Sequence, residues 1–378
     1  MRKPRLDLAA LMRLRRGGMG VPGPAGDGHL LDVAEFGPNP GGLRMLSHVP
    51  EGLRPGAPLV VALHGCTQTA AGYDRGSGWS AMAERLGFAL LLPEQRRANN
   101  PNLCFNWFEP GDAARGAGEA ASIQAMVAHM VAEHGLDPAR IFVTGLSAGG
   151  AMASVMLATY PEVFAAGAIV AGLPYAAGWG VQQALAAMSH PGDLPASARG
   201  DAVRRAGRHA GAWPRVSVWH GDADLTVNAG NAEACTRQWL DLHGLSAAAP
   251  VTLRRSPNHV VRRWHGPDGQ VRVEDHRIAG MGHGVPLSPG EGDGCCGEAG
   301  AFLLDVGVSS THGILAFWGL EEAPAEASAA AAPSRLPVPS GRVFVVDAAG
   351  QVVPDMPPPR APRPSNPPPC VASWTSAR

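Results

Sequence analysis

A serine, an acid and a histidine in that chain order are enough for acyl transfer. This sequence offers them at Ser147, at Asp222 or Asp224, and at His283. A serine hydroxyl becomes a useful nucleophile when a neighbouring imidazole takes its proton, and a carboxylate holds that imidazole in the right tautomer. Ser147 is the centre of Gly145-Leu146-Ser147-Ala148-Gly149, a G-x-S-x-G pattern. Five letters carry little in a chain with 49 glycines, so the surrounding elements have to decide. Ile141 to Val143 is a short apolar, β-favouring run, and Ala148 to Tyr160 is small or helix-forming until Pro161 stops it. That is the strand, turn and helix a nucleophile elbow requires, with the helix N-terminus offering free N–H groups to an oxyanion.

The other candidates also follow expected strands. Pro58 to Leu63 is a buried-strand run that leads into His64-Gly65-Cys66, and Phe88 to Leu92 is another. Ala165 to Ala171 and Val216 to Trp219 continue the series, the latter entering His220-Gly221-Asp222-Ala223-Asp224. Helices are expected over Ser80–Leu86, Glu119–His134, Asn231–His243, and from an N-cap at Ser310 through Leu320. Leu30 to Pro50 suggests an edge hairpin. Val251 to Ile278 reads as one hairpin around Pro267-Asp268-Gly269, followed by Gly280-Met281-Gly282-His283-Gly284. Residues 173–213 have weak periodicity and suit an insertion or lid over a site. Strands alternating with helices predict an α/β class protein with a mostly parallel sheet, whose strand ends bring distant residues to one edge.

Composition sets bounds. The chain has 378 residues, 45% hydrophobic and 17% charged, with net charge −1, so nothing in its charge points to nucleic acid or an anionic membrane as a general partner. No apolar run reaches a membrane-spanning length. Residues 1–28 are read as a flexible basic and Gly/Pro-rich lead-in without a standard signal peptide. Residues 29–320 are read as one catalytic domain, and 321–378 as an Ala/Pro-rich disordered tail or linker. The six cysteines show no zinc-like spacing, and their pairing is open between free thiols and one or two disulfides.

Taken together, Leu63-His-Gly-Cys-Thr-Gln68, Cys104-Phe-Asn-Trp-Phe108, Gly145-Leu-Ser-Ala-Gly-Gly150, Tyr160-Pro161, Ala171-Gly-Leu-Pro-Tyr175 and His220-Gly-Asp-Ala-Asp224 resemble the poly(3-hydroxybutyrate) depolymerase family of esterases. The resemblance spans roughly residues 30–320 and extends to acetylxylan and feruloyl esterases. It implies an α/β-hydrolase fold and a serine ester hydrolase with Ser147, Asp224 and His283 as triad and no metal or organic cofactor. It further implies oxyanion N–H donors at Cys66 and Ala148, and a Cys66–Cys104 disulfide. Expected substrates are polyester, oligomer or small hydroxyalkanoate esters, with acyl groups on plant polysaccharide as the alternative; a non-catalytic polymer-binding protein is a third reading. Extracellular or periplasmic placement follows from the resemblance, while the N-terminus favours a cytoplasmic alternative. Where many relatives carry Ala-Trp-Pro-Gly after the histidine, this chain has Gly284-Val285-Pro286-Leu287. Trp79, Trp107, Trp179 and Trp219 are candidates for a substrate groove, with core packing favoured for Trp219.

Overall fold

The structure, a computed structural model, describes residues 29–322; the expected lead-in and nearly all of the expected tail lie outside the described residues. Strands β3 (Leu59–Leu63) and β4 (Ala89–Glu94) are buried along their whole length. Alternation decides where each side chain goes. Leu59, Val61 and Leu63 enter one core, and Val60 and Ala62 the other, as successive side chains on a pleated strand must. A sheet with two apolar faces has to be covered on both. Helices α3 (Gly118–His134), α4 (Ala148–Thr159) and α7 (Gly230–Leu242) cover the first face with Ile123, Met126, Met152, Met156 and Trp239. Helices α1 (Ala70–Ser77), α2 (Trp79–Leu86) and α8 (Ser310–Trp318) cover the second with Tyr73, Trp79, Met82 and Leu315.

The main sheet has ten strands among the described residues, in the order β1-β2-β4-β3-β5-β6-β7-β10-β9-β8. Its middle is parallel: β4, β3, β5 (Ile141–Leu146), β6 (Ala166–Val170), β7 (Arg215–Gly221) and β10 (Val271–Ile278) all run the same way. Antiparallel strands β1 (Leu31–Val33) and β2 (Arg44–His48) close one side, and β9 (His259–His265) and β8 (Val251–Ser256) the other. A small ribbon of β11 (Val285–Leu287) and β12 (Leu303–Asp305) lies apart from the main sheet.

Several sequence expectations change. The region expected as one hairpin over Val251–Ile278 is a three-stranded meander, because Pro257-Asn258 makes a second turn between β8 and β9. Its last strand also pairs in parallel with β7, so the strand that leads to His283 belongs to the central sheet. Residues 173–213 contain two helices, α5 (Gly180–Ser189) and α6 (Ala196–Gly207). Their buried faces are made of Ala184, Ala187, Gly200 and Gly207 together with Met188, Val203 and the charged Arg199, so few large apolar residues mark the helical period and the periodic signal is weak. The N-cap of α8 is Ser309, whose hydroxyl accepts from the His312 N–H, not Ser310; Ser310 donates instead to the Pro286 carbonyl. Helix α8 closes at Gly319, a residue at φ 79°.

Candidate active site

The elbow around Ser147 is built by contact. Ser147 sits at φ 57°, ψ −114°, a strained conformation for a residue with a side chain. Its N–H extends the sheet ladder to the Val170 carbonyl, and its carbonyl accepts from Ala151 to start α4. Its side chain does not cap that helix, so the hydroxyl is not committed to local structure. The flanking glycines are steric necessities. A Cβ at Gly145 would lie 2.4 Å from the Gly149 carbonyl carbon, and one at Gly149 would lie 2.2 Å from the Leu63 oxygen and 2.5 Å from the His64 oxygen. The start of α4 is thereby pressed against the end of β3, and the Ser147 turn and the Gly65-Cys66 turn become neighbours.

On the β3 side, Cys66 is joined to Cys104 by a disulfide spanning 38 positions. Thr67 N–H donates to the Asn102 carbonyl at 2.7 Å, so two links tie this turn to the 94–108 loop. Neither the Cys66 N–H nor the Ala148 N–H has a hydrogen-bond acceptor among the described residues. Both lie past C-terminal strand ends paired in register, Leu63 opposite Gly145.

Asp224 and His283 follow β7 and β10, which lie beyond β6 along the same edge. His283 Nδ1 lies 2.7 Å from Asp224 Oδ2. The other carboxylate oxygen, Oδ1, accepts from the Thr226 and Val227 N–H groups at 2.8 and 2.9 Å. Burial alone would raise the Asp224 pKa, but the hydrogen bonds and charges of His220 and His283 outweigh it and hold the carboxyl below its ordinary value. A carboxylate only accepts, so the proton between them belongs to His283 Nδ1, and Nε2 keeps a lone pair for base chemistry. Asp222 does something else: its Oδ1 accepts from the Gly280 N–H at 2.7 Å and fixes the start of the histidine loop. That loop crosses β7 so closely that a Cβ at Gly221 would meet the Met281 oxygen at 2.1 Å. The Ala223 N–H donates to the same Met281 carbonyl, and the His283 ring meets Phe302 edge-on with centroids 6.1 Å apart.

His220 is visible in the sequence only as part of the His220–Asp224 run, with no role of its own. It is 1% exposed, its Nε2 lies 2.9 Å from the Val227 carbonyl and 3.2 Å from Asp224 Oδ2, and its Nδ1 has no partner among the described residues. The available signal is the recurrence of His-Gly at the C-terminal ends of two strands, at 64–65 and 220–221. Beside Asp224 a cavity of about 350 Å³ is lined by Met188, Ser189, Leu225 and Asn228, which places the end of α5 at the site. Of the four groove tryptophans, Trp79 and Trp219 are core residues at 1% exposure and Trp107 is buried at 5%. Trp179, at 36%, is the one that reaches the surface. Among the described residues no group of three His, Cys, Asp or Glu side chains is placed to hold a metal ion, and no helix is long and apolar enough to cross a membrane.

A parallel sheet flanked on both faces by helices, with a strained serine between strand and helix, defines an α/β-hydrolase of the serine carboxylic ester hydrolase class. Residues 47–259 match the family model described as esterase PHB depolymerase, and the chain belongs to that family. It is 47% identical to poly(3-hydroxyalkanoate) depolymerase C of Paucimonas lemoignei over 294 residues, 77% of this chain and 70% of that one. It is 32% identical to acetylxylan esterase A of Talaromyces purpureogenus over 275 residues, 69% of each. Among solved structures, the acetyl xylan esterase of Aspergillus awamori superposes with a TM-score of 0.62 at 27% identity, over 68% of this chain and 94% of that one.

Proposed function

We propose that this chain hydrolyses hydroxyalkanoate polyester or its oligomers by way of an acyl-enzyme on Ser147. The observation that carries the reading is the 2.7 Å contact between His283 Nδ1 and Asp224, formed by two loops that follow neighbouring strands of the sheet bearing the strained serine. In the reaction, Ser147 Oγ attacks the ester carbonyl carbon while His283 Nε2 takes the hydroxyl proton. The carbonyl oxygen becomes an oxyanion held by the Cys66 and Ala148 N–H groups, each worth about 3 kcal/mol in the transition state. Collapse expels the alcohol, which receives the proton from His283. Water, deprotonated by the same imidazole, then releases the acid and restores the serine.

The substrate class follows from the closer likeness to the relative named a polyhydroxyalkanoate depolymerase than to the one named an acetylxylan esterase. Met188 and Leu225, bordering the cavity beside Asp224, suit an apolar acyl or alkyl chain. Leu225 is 88% exposed immediately after the acid, a position from which it can meet a solid polyester surface. The Cys66–Cys104 disulfide supports an oxidising compartment, extracellular or periplasmic.

The test compares wild type with Ser147→Ala on a polyhydroxybutyrate suspension and on acetylated and feruloylated xylan. The proposal expects clearing of the polyester by wild type alone, with little acetate or ferulate released. Release from xylan without clearing would move the substrate to polysaccharide esters, and equal rates for both proteins on every substrate would remove the serine mechanism.

A further inference from the structure

His64 precedes the turn that holds Cys66, is wholly buried, and has both ring nitrogens engaged. Its Nε2 faces the Gln95 N–H at 3.1 Å, and that N–H only donates. Nε2 is therefore the acceptor, and the ring proton sits on Nδ1, which lies 2.8 Å from the Gly65 carbonyl. The Gly65 carbonyl and the Cys66 N–H are two ends of one planar peptide unit, so fixing the first aims the second in the opposite direction. The Gln68 N–H also reaches this carbonyl, at a longer 3.3 Å, while the Gly65 N–H is held by the Gln68 side chain at 2.8 Å.

Behind His64 the network continues without a break. The Gln95 side-chain amide donates to the Cys104 carbonyl and to Glu119, and Glu119 also accepts from the Asn106 backbone and side chain. Cys104 returns to Cys66 through the disulfide. The peptide that presents the Cys66 N–H is thus gripped from its carbonyl end by an imidazole and from its side chain by a sulfur bridge, both anchored on the same loop.

We infer that His64 is a positioning residue for the oxyanion site: its Nδ1–H, held in place by the Gln95 N–H, orients the Gly65–Cys66 peptide so that the Cys66 N–H points at the developing oxyanion. This rests on the oxyanion role given to Cys66 above. Two substitutions separate the ring's two jobs. His64→Asn keeps a donor where Nδ1 stands and gives up the acceptor, whereas His64→Gln keeps an acceptor for Gln95 and gives up the donor to Gly65.

With p-nitrophenyl butyrate, His64→Gln lowers kcat by about tenfold or more at a KM within about twofold of wild type, short of the ~10²–10³-fold loss from deleting a donor. His64→Asn stays within about threefold in kcat, although both variants lose thermal stability. The affinity of an alkylboronic acid, whose adduct carries a tetrahedral oxygen at the oxyanion position, falls in His64→Gln in step with kcat. Equal losses of kcat in both variants, or a loss confined to KM, would overturn the inference. Should either variant not fold, ¹⁵N-histidine NMR of the wild-type protein decides: protonation at Nδ1 supports the arrangement and protonation at Nε2 contradicts it. An active Ser147→Ala protein would instead strike at the serine mechanism, so the two failures are distinguishable.

Discussion

The two halves of the site are held by opposite means. Around Ser147 the geometry is enforced by crowding: Gly145 and Gly149 touch backbone atoms of each other and of β3, and no side-chain hydrogen bond fixes the serine. Around Asp224 it is enforced by polar satisfaction, with Thr226, Val227, His220 and His283 all directed at one buried carboxylate. The first half tolerates no added atom, and the second tolerates no lost partner. Both suit the tasks proposed for Ser147 and Asp224. A nucleophile must be fixed without tying up its hydroxyl, whereas an acid must stay ionised and aimed while buried.

Substitutions on each side should fail differently. Asp224→Asn is expected to cut kcat by about 10³–10⁴-fold, equivalent to about 4–5.5 kcal/mol, because an amide lets the histidine adopt the wrong tautomer. Asp222→Asn, which disturbs only the bond to Gly280, should cost about tenfold or less; a greater loss from Asp222→Asn would exchange the two roles. On the crowded side, Gly149→Ala should destabilise the fold by about 3 kcal/mol or more, read from urea unfolding, since the clash is with backbone that cannot swing away. An unchanged midpoint would show that the elbow has slack. Ser147→Gly and Ser147→Ala should both be inactive, but the glycine variant should be more stable by about 1–3 kcal/mol because it relieves the positive φ. Equal melting temperatures would mean the strain is absent.

A weaker effect concerns acid stability. Burial lowers His243 to about 4 and His259 to about 3. Below the ordinary histidine value of about 6.5 the unfolded chain takes up protons that the folded one refuses. Stability from these two residues is therefore complete above about pH 6.5 and falls as pH drops toward 4 and then 3. Urea midpoints measured from pH 7.5 to 4 should decline, and His259→Gln should flatten that decline; a flat wild-type profile would contradict the burial of these rings as neutral groups.

The same contrast explains what was legible in the sequence. Steric requirements leave a mark in residue identity, so the glycines around Ser147 and the apolar runs before it pointed at the parallel sheet and the elbow. Hydrogen-bond requirements leave less trace. Asp222 and Asp224 are chemically identical two positions apart, and their difference depends on where the loop after β10 crosses Gly221. His64 and His220 were visible as letters, but their buried partners Gln95 and Val227 are joined to them only by folding. The short ribbon of β11 and β12 escaped for a related reason, its strands being three residues each and separated by a Gly-rich loop.

Every role proposed at this site depends on Ser147 as the nucleophile. Incubating the full-length protein with a p-nitrophenyl alkylphosphonate, and locating the adduct by peptide mass spectrometry, tests it most directly. One phosphonyl group on Ser147 is expected, with its rate of attachment reduced by at least about 10³-fold in both Asp224→Asn and His283→Ala. An adduct on another residue, or attachment at an undiminished rate without Asp224 and His283, would contradict the triad.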